Sequence, residues 1–267
     1  MKRTSILIIL VLIVSLALVG CGGKNNTEDT WSELEDQGKI IVGLDDTFVP
    51  MGFTDKNGEL TGFDVDLATE AIKRLDMDLE LQAIDWNLKE QELETGNIDL
   101  IWNGYSITKE RMEKVNFTKP YLDNQQIIVV LNDSDIESRE DLKNRIVCTQ
   151  NSSSALEAIE KSGDKENFKD GDIVLFDTYT EAFLDLEAGR VEAVVGDEVL
   201  TKYYIEERGK EKFKIASGDF GDEEYGVGVR KGDKTLLDKL NNVLDEMKAD
   251  GTTAEISEKW FGENIVK

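Results

Sequence analysis

The 267 residues are enough for two modest domains and a real core, with 33% charged and 40% hydrophobic positions. A formal charge of −25 repels phosphate backbones and gives anionic lipid no basic patch, which excludes nucleic acid and polybasic membrane binding. Histidine is absent. That removes the commonest zinc ligand and the commonest acid–base group at neutral pH, so hydrolase and metalloenzyme readings are poor and no metal or cofactor is expected.

The chain opens on Lys2 and Arg3, runs apolar from Ile6 to Val19, and reaches Cys21 after small residues. This is a secretory leader over residues 1–20, too short for a comfortable membrane span. The cysteine placement resembles a bacterial lipoprotein signal, which implies a lipidated Cys21 holding the protein at the outer face of the cell membrane. The polar stretch "GGKNNTED" reads as a tether, with the lipidated segment taken as residues 21–36. Cys148 is then without a partner; in the strand-like "RIVCT" it reads as a buried small hydrophobe.

From Lys39 onward, strand and helix patterns alternate. "KIIVGL", "LELQAI" and "IDLIW" read as strands. "FDVDLATEAIKRL", with Ala68, Ala71, Ile72 and Leu75 on one face, and "LKEQELETG" read as helices. The rhythm returns with strands "QQIIVVL", "RIVCT", "DIVLF" and "VEAVV" around helices "SSALEAIEKSG" and "YTEAFLDLEAG". The stretch "ETGNIDLIWNG" from Glu94 matches "EAGRVEAVVGD" from Glu187 in its order of helix end, glycine, apolar strand and polar exit. The class is therefore α/β, with two lobes of similar build, each a mostly parallel sheet flanked by helices. Extended segments near "YLDNQQ" and "GDEEYG" are the candidate crossings. The expected division is 37–122 plus 224–267 for lobe 1 and 127–219 for lobe 2, with hinges at about 123–126 and 220–223. The terminal helices, which carry Leu236, Leu240, Val243, Leu244 and Met247, must dock on one of the sheets.

Ligands of open α/β sheets bind at the carboxyl ends of strands, and the polar exits gather there. Arg111 follows "IDLIW"; its guanidinium can fork onto a carboxylate, with the Ser106 hydroxyl as a third donor. A solvated arginine pairing with Glu110 or Glu113 is the plainer alternative. In "TQNSSSALEA", Ser152, Ser153 and Ser154 precede a helix; one of the first two would cap it, and the free N–H groups make an anion site. Asp197 leaves "VEAVVG" at the slot that Gly104 fills in the first lobe, where a carboxylate could take an ammonium. Asp45, Phe48 and Trp86 stand at or just beyond other strand exits, where rings can cover an apolar stem or a cation. The set suits one zwitterionic amino acid held between two lobes.

Three stretches carry a family resemblance over about Lys39 to Gly262: "LDDTFVPMGFTDKNGELTGFDVDLATEA", "GNIDLIWNGYSITKERMEKVNFTKPYL" and "GRVEAVVGDE". They resemble the solute-binding proteins of polar-amino-acid ABC importers, family 3, with the type II periplasmic-binding fold of two lobes joined by two hinge strands. The resemblance implies that Arg111 holds the α-carboxylate, with Ser106 and the Ser153 region. Asp197 would hold the α-amino group, helped by the Gly104 carbonyl. Phe48 and Trp86 would flank the side chain and Asp45 would face its tip. It also implies a monomer that closes by a hinge and meets a permease and an ATPase subunit. The sequence departs from the family pattern at Met51 and Gly52, which would open one wall, at Ser152, at Asn103 (an extra amide) and at Gln150. With Asp46 beside Asp45, a neutral polar or basic amino acid, or cystine, is expected. Two other classes stand beside this one: a dehydratase-like enzyme using Asp45 or Asp197, and a sensor that would need a separate receptor.

Overall fold

The computed structural model of the protein describes residues 28–267; the leader and residues 21–27, Cys21 among them, lie outside the described residues. Folded structure begins earlier than expected, inside the stretch 21–36 assigned to the tether. Helix α1 (Trp31–Gln37) buries Leu34. It is tied down by the Thr30 N–H donating to Asp233 Oδ1 at 2.8 Å and by Lys239 over the Trp31 ring at 4.5 Å. Trp31 and Leu34 are three apart and share a face; the acidic residues around them mask that stripe in the sequence.

The first lobe starts with β1 (Lys39–Leu44). A small antiparallel sheet follows: β2 (Thr47–Phe48), β3 (Gly52–Thr54) and β4 (Leu60–Thr61). Then come α2 (Phe63–Arg74), β5 (Asp78–Ala83), α3 (Lys89–Thr95), β6 (Leu100–Ile101), α4 (Lys109–Lys114) and β7 (Asn116–Phe117). The long strand β8 (Leu122–Leu131) leads into the second lobe. That lobe holds β9 (Val147–Gln150), α5 (Ser154–Ser162), β10 (Val174–Phe176), α6 (Tyr179–Glu187), β11 (Ala193–Asp197) and α7 (Glu198–Arg208). The chain returns along β12 (Phe213–Tyr225) to β13 (Gly228–Val229), α8 (Lys234–Ala249) and α9 (Thr252–Phe261).

Both sheets have five strands, ordered β5-β1-β6-β13-β7 and β10-β9-β11-β8-β12. The strands of the matched stretches, β6 and β11, each take the central place. Each is flanked by a parallel strand on one side, β1 or β9, and an antiparallel one on the other, β13 or β8. The two crossing strands pair antiparallel with each other, from Tyr225↔Leu122 to Phe213↔Leu131, with two register shifts between Ala216 and Asp222.

Local sequence explains most boundaries. Helix α2 buries Phe63, Leu67, Ala68, Ala71 and Ile72 as one stripe. Thr178 and Glu181 form a capping box on α6, and Gly163 ends α5 in the left-handed region. Strand β6 is shorter than "IDLIW" suggests. Asp99 is spent on side-chain bonds instead, accepting from the Ile41 N–H at 2.9 Å and from Arg230 Nη2 at 2.9 Å. The terminal helices dock on the first lobe, where Phe261 meets Phe63 at 5.0 Å between ring centroids and the Trp260 indole donates to Asp66 at 2.7 Å. Cys148 is fully buried in β9, and burial pushes its thiol well up from the ordinary range.

Candidate functional site

The lobes face each other across the carboxyl ends of β1, β6, β9 and β11. On the first lobe, Thr108 caps α4 by accepting from the Arg111 N–H at 3.2 Å. The Arg111 guanidinium turns inward and is 5% exposed. Its Nη1 donates to the Ser106 carbonyl at 3.1 Å, and its Nη2 crosses to the Ser152 carbonyl of the second lobe at 3.3 Å. It lies over the Tyr105 ring at 4.6 Å. Lys114, not Arg111, pairs with Glu110, at 3.5 Å, so the solvated-arginine alternative does not describe this side chain.

A second cation shares that carbonyl. Lys89 Nζ donates to Ser152 O at 3.1 Å and to Trp86 O at 3.0 Å and sits 4.9 Å from the Trp86 ring centroid. Burial, and then the neighbouring charge of Arg111, bring it down to about 7; Glu90, 3.6 Å away, acts the other way. Sequence reasoning missed Lys89. A signal existed: a lysine opens α3, where the helix dipole disfavours a cation.

On the second lobe the three serines take separate roles. Ser152 adopts a left-handed backbone, φ +55°. Ser153 caps α5, accepting from the Leu156 N–H at 3.1 Å. Ser154 points its hydroxyl across the cleft to Ser106 Oγ at 3.0 Å. Asp197 is buried at the exit of β11. Its Oδ1 accepts from Tyr225 OH at 2.7 Å, Asn124 Nδ2 at 2.7 Å and Gln126 Nε2 at 3.0 Å. Burial, and then the adjacent Glu223, push its carboxyl well up; Tyr225, Gln126 and Arg111 pull it back. Glu223, on β12, accepts at Oε2 from the Ser106 and Ser154 hydroxyls at 2.6 and 3.1 Å. Asn124, Gln126 and Glu223 were not singled out from sequence. The period-two spacing of Asn124 and Gln126 in an extended segment was the available signal.

At the other end of the cleft, Gln150 Nε2 donates across the lobes to Asp45 Oδ2 at 2.7 Å. Asp45 Oδ1 accepts from the Thr47 N–H and hydroxyl at 2.9 and 2.7 Å, and burial raises its carboxyl. Phe48 and Trp86 are both buried. Phe48 stands against Tyr179 of the second lobe at 6.1 Å, and Trp86 stands edge-on to Tyr105 at 5.8 Å. Asn103 Oδ1 accepts from the Asp45 N–H at 3.1 Å, while its Nδ2 is buried with no partner among the described residues. The wall at Met51 and Gly52 is not opened. Met51 is fully buried, and a β-carbon on Gly52 would lie 2.5 Å from Asn103 Nδ2. The extra amide fills the room that the glycine leaves.

Gly104 sits at φ +53°. Its N–H donates to Asp64 Oδ2 at 2.6 Å, and Tyr121 OH donates to the same oxygen at 2.9 Å. Burial raises the Asp64 carboxyl to about 7 despite both bonds. Asp64 belongs to the "GFDVDL" motif and was missed as a supporting residue. A helix-start aspartate reads as a solvent-facing dipole partner, and only the fold brings Gly104 to it.

The cleft thus joins a buried guanidinium from one lobe to a buried carboxylate from the other. Aromatic rings and an amide–carboxylate pair line the opposite end. Such a site can hold and desolvate a small molecule that carries both charges.

The profile of the family described as "Bacterial extracellular solute-binding proteins, family 3" matches residues 40–263. The chain is similar to the probable amino-acid-binding protein YxeM of Bacillus subtilis (strain 168), with 32% identity over 99% of this chain and 97% of that one. It is also similar to the L-cystine-binding protein TcyJ of Escherichia coli (strain K12), with 29% identity over 96% and 95%. Among solved structures, an ABC uptake transporter substrate-binding protein from Streptococcus pneumoniae with bound histidine superposes with a TM-score of 0.87. Its identity is 38%, and the match covers 90% of this chain and 98% of that one.

Proposed function

The chain belongs to family 3 of the bacterial extracellular solute-binding proteins, and from that premise we propose that it captures a polar L-amino acid between its lobes for an ABC importer. The observation that carries this is the burial of Arg111 and Asp197, from opposite lobes, in one cleft. Arg111, with backbone N–H groups at Ser106 and at the start of α5, takes the α-carboxylate. Asp197 and the Gly104 carbonyl take the α-ammonium. Phe48 and Trp86 flank the side chain. Asp45, Gln150 and Asn103 meet its tip, which favours a neutral polar or basic amino acid, or cystine.

The open protein binds the solute on the first lobe, and hinges at about 123–126 and 220–223 bring the second lobe down on it. Closure removes water and strengthens each charge-assisted bond. A lipid on Cys21 keeps the monomer at the extracytoplasmic face of the membrane, where the closed form meets the permease and its ATPase. Lobe 1 comprises 37–122 with 224–267 and the docked α1, and lobe 2 comprises 127–219. The family match, whose described members are solute-binding proteins, supports a binding role over a dehydratase.

The test is a thermal-shift panel of L-amino acids, cystine included, on protein unfolded and refolded to strip bound solute. A solute that binds only the native state raises the melting temperature by mass action. A large shift with one polar or basic amino acid supports the reading. A flat panel refutes it.

A further inference from the structure

The resemblance assigns Asp197 to a solute ammonium and leaves Glu223 without a role, yet Glu223 has the more unusual surroundings. Its Oε2 accepts four donors: Ser106 Oγ at 2.6 Å, Gln126 Nε2 at 3.0 Å, Ser154 Oγ at 3.1 Å and Asn124 Nδ2 at 3.3 Å. The serines come from the two lobes, and both amides from the crossing strand β8 paired with its own.

The protons around it can be traced. Each hydroxyl has one proton and each amide nitrogen two. The Asn124 and Gln126 amides are each within bonding distance of both Asp197 Oδ1 and Glu223 Oε2, and Gln126 Nε2 also reaches Ser154 Oγ at 3.3 Å, so their protons are spent within the cluster. The Ser106 proton goes to Glu223 over the shorter contact. The Ser154 proton goes to Glu223 or to Ser106 Oγ, 3.0 Å away. Neither hydroxyl can donate to a solute without breaking a bond to its own cluster. With these donors in reach, Oε2 acts in the cluster as an acceptor.

We propose that Glu223 is a positioning residue for the ammonium end of the cleft, taking up the hydroxyl protons of Ser106 and Ser154 so that both oxygens meet a solute as acceptors. It also sets a second carboxylate beside Asp197, so this end of the site accepts a cationic donor and rejects an anion or a neutral acceptor. The inference deepens the amino-acid reading and rests on it. Replacing Glu223 by glutamine removes one charge and turns one of its two acceptor oxygens into a donor, which weakens its hold on the hydroxyl protons.

The experiment is calorimetric titration of wild type and Glu223→Gln with L-arginine, L-glutamine and L-histidine. Each is compared with its deamino counterpart: guanidinovaleric, glutaramic and imidazolepropionic acid. For whichever amino acid binds, its preference over the deamino acid falls about tenfold or more in Glu223→Gln, while affinity for the deamino acid changes less than about threefold. Ser154→Ala, which keeps every charge, shifts the same ratio in the same direction by a smaller factor. If both members of each pair weaken together, Glu223 is only a hinge strut and the proposal fails. A second readout needs no solute: carbon NMR of the Asp197 carboxyl. Its titration midpoint drops in Glu223→Gln, and an unchanged midpoint also overturns the proposal. If none of the three amino acids binds wild type, the solute lies elsewhere in the wider panel or the functional reading has failed, and the Asp197 titration still decides the carboxylate pairing.

Discussion

Lys89 of the first lobe donates to the Ser152 carbonyl of the second at 3.1 Å from a side chain that is 2% exposed. Burial first and Arg111 second bring this lysine to about 7 in the closed protein. In an open cleft it returns to water and to an ordinary lysine value of about 10.4. The closed form therefore prefers the neutral amine. Below about pH 7 the lysine is charged in both forms and the penalty on closure is complete; between about 7 and about 10 closure releases a proton and is favoured by rising pH. Solute affinity measured from about pH 6 to about pH 9 tightens with pH in wild type, by up to about tenfold per unit, and this component is lost in Lys89→Met. Parallel profiles for the two proteins would remove Lys89 from the closure equilibrium.

Asp64 holds the turn that carries Gly104. Asp64→Ala leaves the Tyr121 hydroxyl and the Gly104 N–H without their buried acceptor, and costs about 2–4 kcal/mol in urea unfolding. Because the folded carboxyl is raised to about 7, its favourable protonated form is complete below the unfolded value of about 3.9 and is lost as pH rises through about 7. Wild type should lose stability across that window, and Asp64→Asn should flatten the slope. Equal slopes would show that Asp64 stays ionised in the fold.

Gly104 has no room for a side chain. At φ +53°, a β-carbon would lie 2.8 Å from Phe48 Cε1 and 3.3 Å from the Tyr225 ring. Gly104→Ala strains the backbone and displaces rings on both sides of the site, at about 1–3 kcal/mol in stability. Solute binding weakens with it. Wild-type affinity in a folded Gly104→Ala protein would show that the turn tolerates movement.

Asp45 should govern the choice of side chain. Its carboxylate meets Gln150 across the lobes at 2.7 Å, and Asp45→Asn keeps the shape while removing the charge. Affinity for L-arginine and L-lysine falls about tenfold or more relative to L-glutamine, since a buried charge-assisted bond becomes a neutral one. An unchanged rank order in competition binding would place the solute tip elsewhere.

The fold was legible because its units are local. Alternating apolar runs and amphipathic helices, and the match between Glu94 and Glu187 onward, lead to two sheets with β6 and β11 at their centres. Arg111 and Asp197 were legible as isolated charges at strand exits, and Ser153 as a cap. Lys89, Asp64 and Glu223 were not, because each looks like an ordinary solvated charge along the chain. Burial and long-range partners give them their character: Ser152 for Lys89, Gly104 for Asp64, and Ser106 with Ser154 for Glu223. The helix at Trp31 was hidden for a related reason, since its two apolar side chains acquire meaning only against Lys239 and the first lobe.

The most direct measurement of the central claim is calorimetric titration with L-glutamine, L-histidine, L-arginine and L-cystine, and with their N-acetyl and carboxamide forms. The account predicts that at least one free amino acid binds one per chain, and that blocking either the amine or the carboxylate weakens it about a hundredfold or more, since each blocked form leaves Asp197 or Arg111 buried without its partner. Blocked forms that bind as tightly as the free amino acid would contradict a cleft built to hold a zwitterion between two lobes.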